Sequence, residues 1–244
     1  MNFSIFYGIL FLWGTLVLAA FVAGAVAWTF PVPEIRQVQL RIKTWFYIIA
    51  AFSSFFFLPD YYTAIFLSLL GLLALREIWK VYCSLLTKSM KIIALAGCLG
   101  GLVILSLLSA FYLYKSSRSA FFFVVVITQL NDIFQYLWGK SLGKKLIVPI
   151  ISPTKTWAGF LGGVVTSGVL SCWVAPYFIE ISRIHALVAG IIIACLGFLG
   201  DITVSFFKRQ CSVKDFGIFL PGHGGLLDRI DSLLYVMPLI KFFG

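Results

Sequence analysis

Long apolar runs separated by short polar segments limit this chain's choice of fold more than any other feature. The opening run from Phe3 to Phe30 holds no charged residue, and others follow at Trp45–Leu58, Tyr61–Leu75, Ile92–Leu113, Ala120–Trp138, Trp157–Phe178, Ala186–Phe207 and Leu226–Phe243. A helix of about 20 residues crosses the hydrocarbon of a bilayer. The second and third runs are short and parted only by Pro59-Asp60, which suits two tight spans or a re-entrant pair. The first run exceeds the apolar region of a signal peptide and lacks a basic start, so it reads as a retained span. At 61% hydrophobic and 11% charged, the chain lies far from the roughly 45–50% and 25% of soluble domains. Backbone polar groups in lipid must be satisfied within their own segment, so these runs predict helices. The expected fold is all-α: a polytopic membrane bundle of about eight transmembrane helices forming a single integral membrane domain.

The placement of Lys and Arg predicts the orientation. With the amino terminus outside, all of the 19 Lys and Arg except Lys115, Arg118, Arg183 and Lys241 fall in inner loops, as cytoplasmic loops require. The net charge of +10 is thereby explained by membrane orientation and attraction to anionic lipid, with no call for nucleic acid. The same topology puts the two most polar loops, Gly139–Thr156 and Lys208–Asp231, on the cytoplasmic face, where they can share a site. The five cysteines are scattered, with no CxxC pair, which argues against a zinc site or a disulfide framework.

Acidic residues are spent unevenly. Glu34, Asp60, Glu77 and Glu180 sit at span ends or loops, whereas Asp132, Asp201, Asp215, Asp228 and Asp231 lie in or beside the two polar loops. Asp132 and Asp201 interrupt apolar runs, where a carboxylate costs at least about 2.5 kcal/mol unless it faces protein, water or a cation. The densest stretch reads Ser205-Phe206-Phe207-Lys208-Arg209, then Lys214-Asp215, Pro221-Gly222-His223-Gly224-Gly225 and Asp228-Arg229-Ile230-Asp231. Glycines let backbone amides approach an anion, cations neutralise phosphates, and carboxylates hold a divalent cation that bridges phosphate oxygens. Both halves of a phosphate-metal site are therefore present.

Helical spacing groups these residues further. Asp201, Ser205 and Lys208 form one stripe, and in an eighth span beginning near Leu226, Asp228 and Asp231 share a face from which they can bind one cation. The earlier loop, Gly139-Lys140-Ser141-Leu142-Gly143-Lys144-Lys145 through Ser152-Pro153-Thr154-Lys155-Thr156-Trp157, lacks the GxxxxGK[ST] pattern. Its Ser152, Thr154, Lys155 and Thr156 are placed to donate to phosphate at the start of a helix near Trp157. A capped helix entrance with inside-positive lysines explains that loop equally well.

The stretch S-x-x-K-R-x4-K-D-x5-P-G-H-G-G-x-x-D-R-x-D, matched at every fixed position from Ser205 to Asp231, resembles the carboxy-terminal signature of the phosphatidate cytidylyltransferases, or CDP-diacylglycerol synthases. Asn131-Asp132 and the run up to Trp157-Ala158-Gly159 are similar to that family's aspartate-bearing helix and S-P-K-K-T-W-E-G element, with Ala158 in place of Glu and Thr154 in place of Lys. Asp132 is followed by Ile133-Phe134-Gln135-Tyr136 rather than by a small residue before tyrosine. The resemblance implies an enzyme of the cell (inner) membrane that makes CDP-diacylglycerol and pyrophosphate from CTP and phosphatidate at the cytoplasmic face. Residues 120–244 would carry the catalysis, and residues 1–115 would supply helices of no evident role.

On this reading Asp201, Asp228 and Asp231, with Asp132, hold Mg²⁺, and K⁺ is a second cation the family suggests. Lys208, Arg209, Lys214 and Arg229 neutralise the triphosphate and lipid headgroup, and Gly222, His223, Gly224 and Gly225 close over phosphate. Ser205 and Lys155 donate to phosphate, and His223 orients or protonates the leaving pyrophosphate. Membrane lipids are partners, and a homodimer is implied. The alternatives are a CTP-dependent enzyme acting on another lipid, such as a CDP-archaeol synthase or a polyprenol kinase, and an ion-coupled transporter.

Overall fold

The computed structural model describes residues 14, 59–84, 90–213, 215–216 and 225–239. Its elements are α1 (Asp60–Ser84), α2 (Met90–Ser116), α3 (Arg118–Leu142), β1 (Leu146–Val148), β2 (Ser152–Thr156), α4 (Trp157–Phe178), α5 (Arg183–Gln210), α6 (Leu227–Ile230) and α7 (Leu233–Leu239). The architecture is helical, as expected, with one addition: β1 and β2 pair antiparallel, Leu146 opposite Thr156 and Val148 opposite Ser152, as a small ribbon between α3 and α4. Side-chain caps set the helix starts. Ser117 Oγ accepts from Ala120 N at 3.2 Å and Thr156 Oγ1 from Gly159 N at 3.1 Å, each satisfying a first-turn amide that has no partner within its helix.

Among the described residues, four helices are long and apolar enough to cross a membrane: Ile92–Ser116 within α2, and the whole of α3, α4 and α5. Leu161, Val165, Val169 and Trp173 recur every fourth residue along α4 and are all exposed. Such a stripe would be an aggregation hazard in water and is the natural surface in lipid. This is a membrane protein. The third expected run lies in α1, which continues through Arg76, Glu77 and Lys80. The first two runs, Phe3–Phe30 and Trp45–Leu58, lie outside the described residues.

Helices α3, α4 and α5 form the centre, each antiparallel to the next. Gly159 of α4 faces the Gln135 carbonyl and Gly139, while Gly163 and Ser167 further along α4 face Asn131 further back on α3. On the other side Gly168 meets Leu187 and Ile191, and Gly190 of α5 packs on Ser167 and Ser171. Gly159, Gly163, Ser167 and Ser171 thus recur at four-residue spacing and are buried. Lipid tails are as apolar as Leu, so helices in a membrane associate through close backbone approach, which only small residues allow. A Cβ on Gly190 would collide with the Ser167 carbonyl and Ser171. Gly190→Val is accordingly expected to cost about 1–3 kcal/mol of overpacking, read as a lower denaturation midpoint of the detergent-solubilised protein.

The eighth run does not form one helix in the described residues. It starts as the single turn α6, breaks at Asp231-Ser232 and resumes as the seven-residue α7. The break has a local cause: Asp231 Oδ1 accepts the Ser232 N–H at 2.8 Å, drawing that amide away from the helical ladder. Pro238 in α7 supplies no N–H to the carbonyl four residues back, that of Leu234. Ser106 Oγ of α2 donates to that carbonyl at 2.5 Å instead. Leu234 and Val236, both fully buried, wedge α7 between the α3–α5 core and a second apolar cluster around Leu99, Val103, Val204 and Phe207. The wedge delivers Asp231 to the centre of the bundle.

Candidate active site

Asp132 lies ten residues before the end of α3 and Asp201 nine before the end of α5, roughly 15 and 14 Å along their axes. Both helices run antiparallel to α4, so the two carboxylates reach the same level of the bundle. Glycine draws the third acid in: Gly200 presents bare backbone to the Asp231 carbonyl, with no room for a Cβ. The Ser232 hydroxyl then joins two of the acids, donating to Asp132 Oδ2 at 2.8 Å and lying 3.3 Å from Asp231 Oδ1. Asp132, Asp201 and Asp231 are mutually within electrostatic reach, and Asp231 is 9% exposed.

Lys155 opposes this negative charge. It projects from β2 into an ion pair with Asp201 Oδ2, while Ser205 Oγ, one turn along α5, donates to Asp201 Oδ1 at 3.3 Å. Burial works against the Lys155 ammonium, but Asp201 first and then Asp132 more than offset it, so its pKa is raised above the ordinary lysine value. Its Nζ lies over the Phe198 ring, 6.0 Å from the centroid. The ribbon that carries Lys155 is tied to the end of α5 by Arg209, whose Nε donates to the Ile151 carbonyl at 3.0 Å.

A second polar group forms two turns further along α5. Lys208 Nζ is 2.7 Å from Asp228 Oδ1, and Asp228 Oδ2 accepts from Gly225 N at 3.0 Å and Phe216 N at 3.3 Å. Both oxygens of Asp228 are therefore engaged within the protein. Asp228 and Asp231 were expected to face one cation from a shared helical face; the described geometry turns Asp228 to Lys208 and Asp231 to Ser232. Arg229 sits within electrostatic reach of Asp132. Lys214, Gly222, His223 and Gly224 lie outside the described residues.

Three participants escaped the sequence reading. Ser232 follows the last residue of the signature, and nothing local marks it as a bridge. Glu77, read as a span-end charge, accepts from the backbone amides of Leu226 and Leu227 at 2.8 and 2.9 Å. Gln135, buried one turn from Asn131, has neither side-chain polar atom hydrogen-bonded, and Asn131 Nδ2 is likewise unpaired. A polar pair one turn apart in an apolar run was the available signal for these two amides.

The donor set suits a hard divalent cation: carboxylate oxygens only, with three acids facing one half-buried ammonium. Among the described residues no three His, Cys, Asp or Glu side chains converge as a ready metal cage, and the Lys155 ammonium stands against Asp201 where a cation would bind.

Residues 84–244 match the cytidylyltransferase family. The chain belongs to that family. Similar proteins include "Uncharacterized protein YnbB" of Escherichia coli (strain K12), at 33% identity with 95% of each chain covered. A "Phosphatidate cytidylyltransferase" of Staphylococcus saprophyticus is 35% identical over 72% of this chain and 68% of its own. One of Staphylococcus aureus (strain COL) is 41% identical over 49% of this chain and 46% of its own. The resemblance read between Ser205 and Asp231 holds, and the family match reaches back to Ser84, well before Asn131. This cytidylyltransferase is thus a nucleotidyltransferase built into a membrane bundle. Its α1 helix, with Glu77, lies almost wholly ahead of the matched residues.

Proposed function

We propose that this cytidylyltransferase joins CTP to phosphatidate, making CDP-diacylglycerol and pyrophosphate at the cytoplasmic face of the cell membrane. The observation that carries the reading is the meeting of Asp132, Asp201 and Asp231 around Lys155 inside the bundle, about 14 Å from the helix ends. That depth suits a reaction between a water-soluble nucleotide and a lipid headgroup. The names of the Staphylococcus relatives supply the two substrates.

The chemistry asks little of a base. One phosphate oxygen of phosphatidate attacks the α-phosphorus of CTP in line, the bond to the β-phosphate oxygen breaks, and pyrophosphate leaves. A phosphomonoester has a second pKa of about 6 and is largely dianionic near neutrality, so the nucleophile needs no deprotonation. Positioning and charge neutralisation carry the rate. Lys155 is poised to exchange Asp201 for substrate phosphate, and Lys208, Arg209, Lys214 and Arg229 are the cations the family resemblance implies for neutralising the triphosphate and lipid headgroup. Mg²⁺ would be held by Asp132, Asp201 and Asp231, and when bound it would draw the phosphate oxygens together and offset their charge. In this reading Asp228 organises the loop rather than ligating. K⁺ as a second cation, a homodimer, and about eight spans with the amino terminus outside complete the proposal.

Purified enzyme, radiolabelled CTP and a panel of acceptor lipids test it by thin-layer chromatography. A CDP-diacylglycerol spot that appears with phosphatidate, vanishes on chelation by EDTA and returns with Mg²⁺ is the expected result. Transfer only to an ether-linked archaeal phospholipid, or phosphorylation of a polyprenol, would replace phosphatidate as the acceptor. Ala158 and Thr154 at family positions usually held by Glu and Lys are the reason to include those lipids. No nucleotide consumption with any acceptor would overturn the assignment.

A further inference from the structure

Two adjacent amides at the start of α6 point at an acid from a distant part of the sequence. Glu77 Oε1 accepts from Leu226 N at 2.8 Å and Oε2 from Leu227 N at 2.9 Å, across some 150 positions of sequence. Gly225 completes the fit, since a Cβ there would stand 2.7 Å from Glu77 Oε2. Gly225 was expected to help close over phosphate; in the structure its missing side chain leaves room for the protein's own Glu77 carboxylate.

We propose that Glu77 is a positioning residue for the cytidylyl transfer, acting through α6 on the carboxylate cluster; this rests on the function proposed above. Helix α6 is a single turn, too short to sustain itself, and its leading amides have no partner within it. Glu77 ties those amides to α1. Asp228 ties the Gly225 and Phe216 amides to Lys208 of α5. Between the two ties α6 has a fixed place, and Asp231, the next residue after it, is seated against Gly200 with its side chain toward Asp201 and Asp132. Releasing Glu77 frees one end of this strut. Asp231 then loses its registration with Asp201, while α3, α4 and α5 keep their packing. The role gives a helix that lies almost wholly ahead of the family-matched residues a direct part in the site.

Full-length Glu77→Ala and Glu77→Gln enzymes in lipid nanodiscs test the assignment by kinetics and by hydrogen exchange. Glu77→Ala is expected to lower kcat at least tenfold and raise the Mg²⁺ concentration for half-maximal rate several-fold. Exchange of a peptide spanning residues 225–231 should quicken at least tenfold, with exchange of Thr203–Phe207 unchanged. Glu77→Gln keeps one acceptor oxygen for one of the amides and should recover part of both losses. Wild-type kcat and Mg²⁺ dependence in a folded Glu77→Ala protein overturn the proposal, as does a loss of kcat with unaltered exchange at 225–231. If Glu77→Ala does not fold, Glu77→Gln with wild-type rate and exchange overturns it. If wild-type enzyme uses neither CTP nor phosphatidate, the function proposed above fails, and the exchange contrast at 225–231 still decides whether Glu77 holds α6.

Discussion

Asp201→Asn is expected to lower cytidylyl transfer by about three orders of magnitude, equivalent to about 4 kcal/mol of transition-state stabilisation. Asp201 has the most demanding position of the three clustered acids. One oxygen takes the Lys155 ion pair and the other the Ser205 hydroxyl, and its charge acts on both Asp132 and Asp231. Asparagine keeps the shape and the hydroxyl contact but removes the charge that would draw in a cation and hold Lys155 in readiness. The loss belongs in kcat, with folding retained, because relieving repulsion among three clustered acids offsets the broken ion pair. Steady-state kinetics beside a thermal denaturation curve separates the two effects. A variant within tenfold of wild-type turnover would remove Asp201 from the chemistry.

The second large effect concerns Lys208 and Asp228. Asp228→Asn is expected to reduce turnover about a hundredfold, by a different route from Asp201→Asn. Asp228 closes the link between Lys208 and the amides of Gly225 and Phe216, so its replacement loosens the loop that leads to Asp231 and leaves a largely buried ammonium without its partner. Removing one member of a buried pair costs more than the pair itself contributes. The double replacement Lys208→Met with Asp228→Asn should then be markedly less damaging than the sum of the single changes, a coupling of about 1–3 kcal/mol in a double-mutant cycle. If Asp228 instead ligates a cation, the single change should raise the metal concentration needed for half-maximal rate, and adding Lys208→Met should recover nothing.

These two expectations differ although Asp201 and Asp228 were both expected, from the sequence and the family resemblance, to ligate one cation. Asp228 and Asp231 do lie on one helical turn, since Asp231 keeps helical backbone angles at the end of α6; what separates them is their partners, Lys208 and two loop amides for Asp228 and Ser232 for Asp231. At Thr156 two readings stood level, a phosphate donor and the cap of a helix entrance; in the structure its hydroxyl caps α4 by accepting from Gly159.

What could be read without coordinates was whatever depends on near neighbours in sequence. Uncharged runs long enough to cross a bilayer must satisfy their own hydrogen bonds, so a helical membrane protein followed from them alone, and the Ser205–Asp231 pattern declared its family by residue type and spacing. The four-residue rhythm of Gly159, Gly163, Ser167 and Ser171 was legible too, had it been sought. Partnership across the bundle was not. That Ser232 bridges Asp132 and Asp231, that Lys155 turns to Asp201, and that Glu77 seats α6 depends on how closely α3, α4 and α5 approach and where α7 wedges between them. Those distances follow from glycine contacts spread over the second half of the chain. A carboxylate gives no local sign of the donor it will meet a hundred residues away.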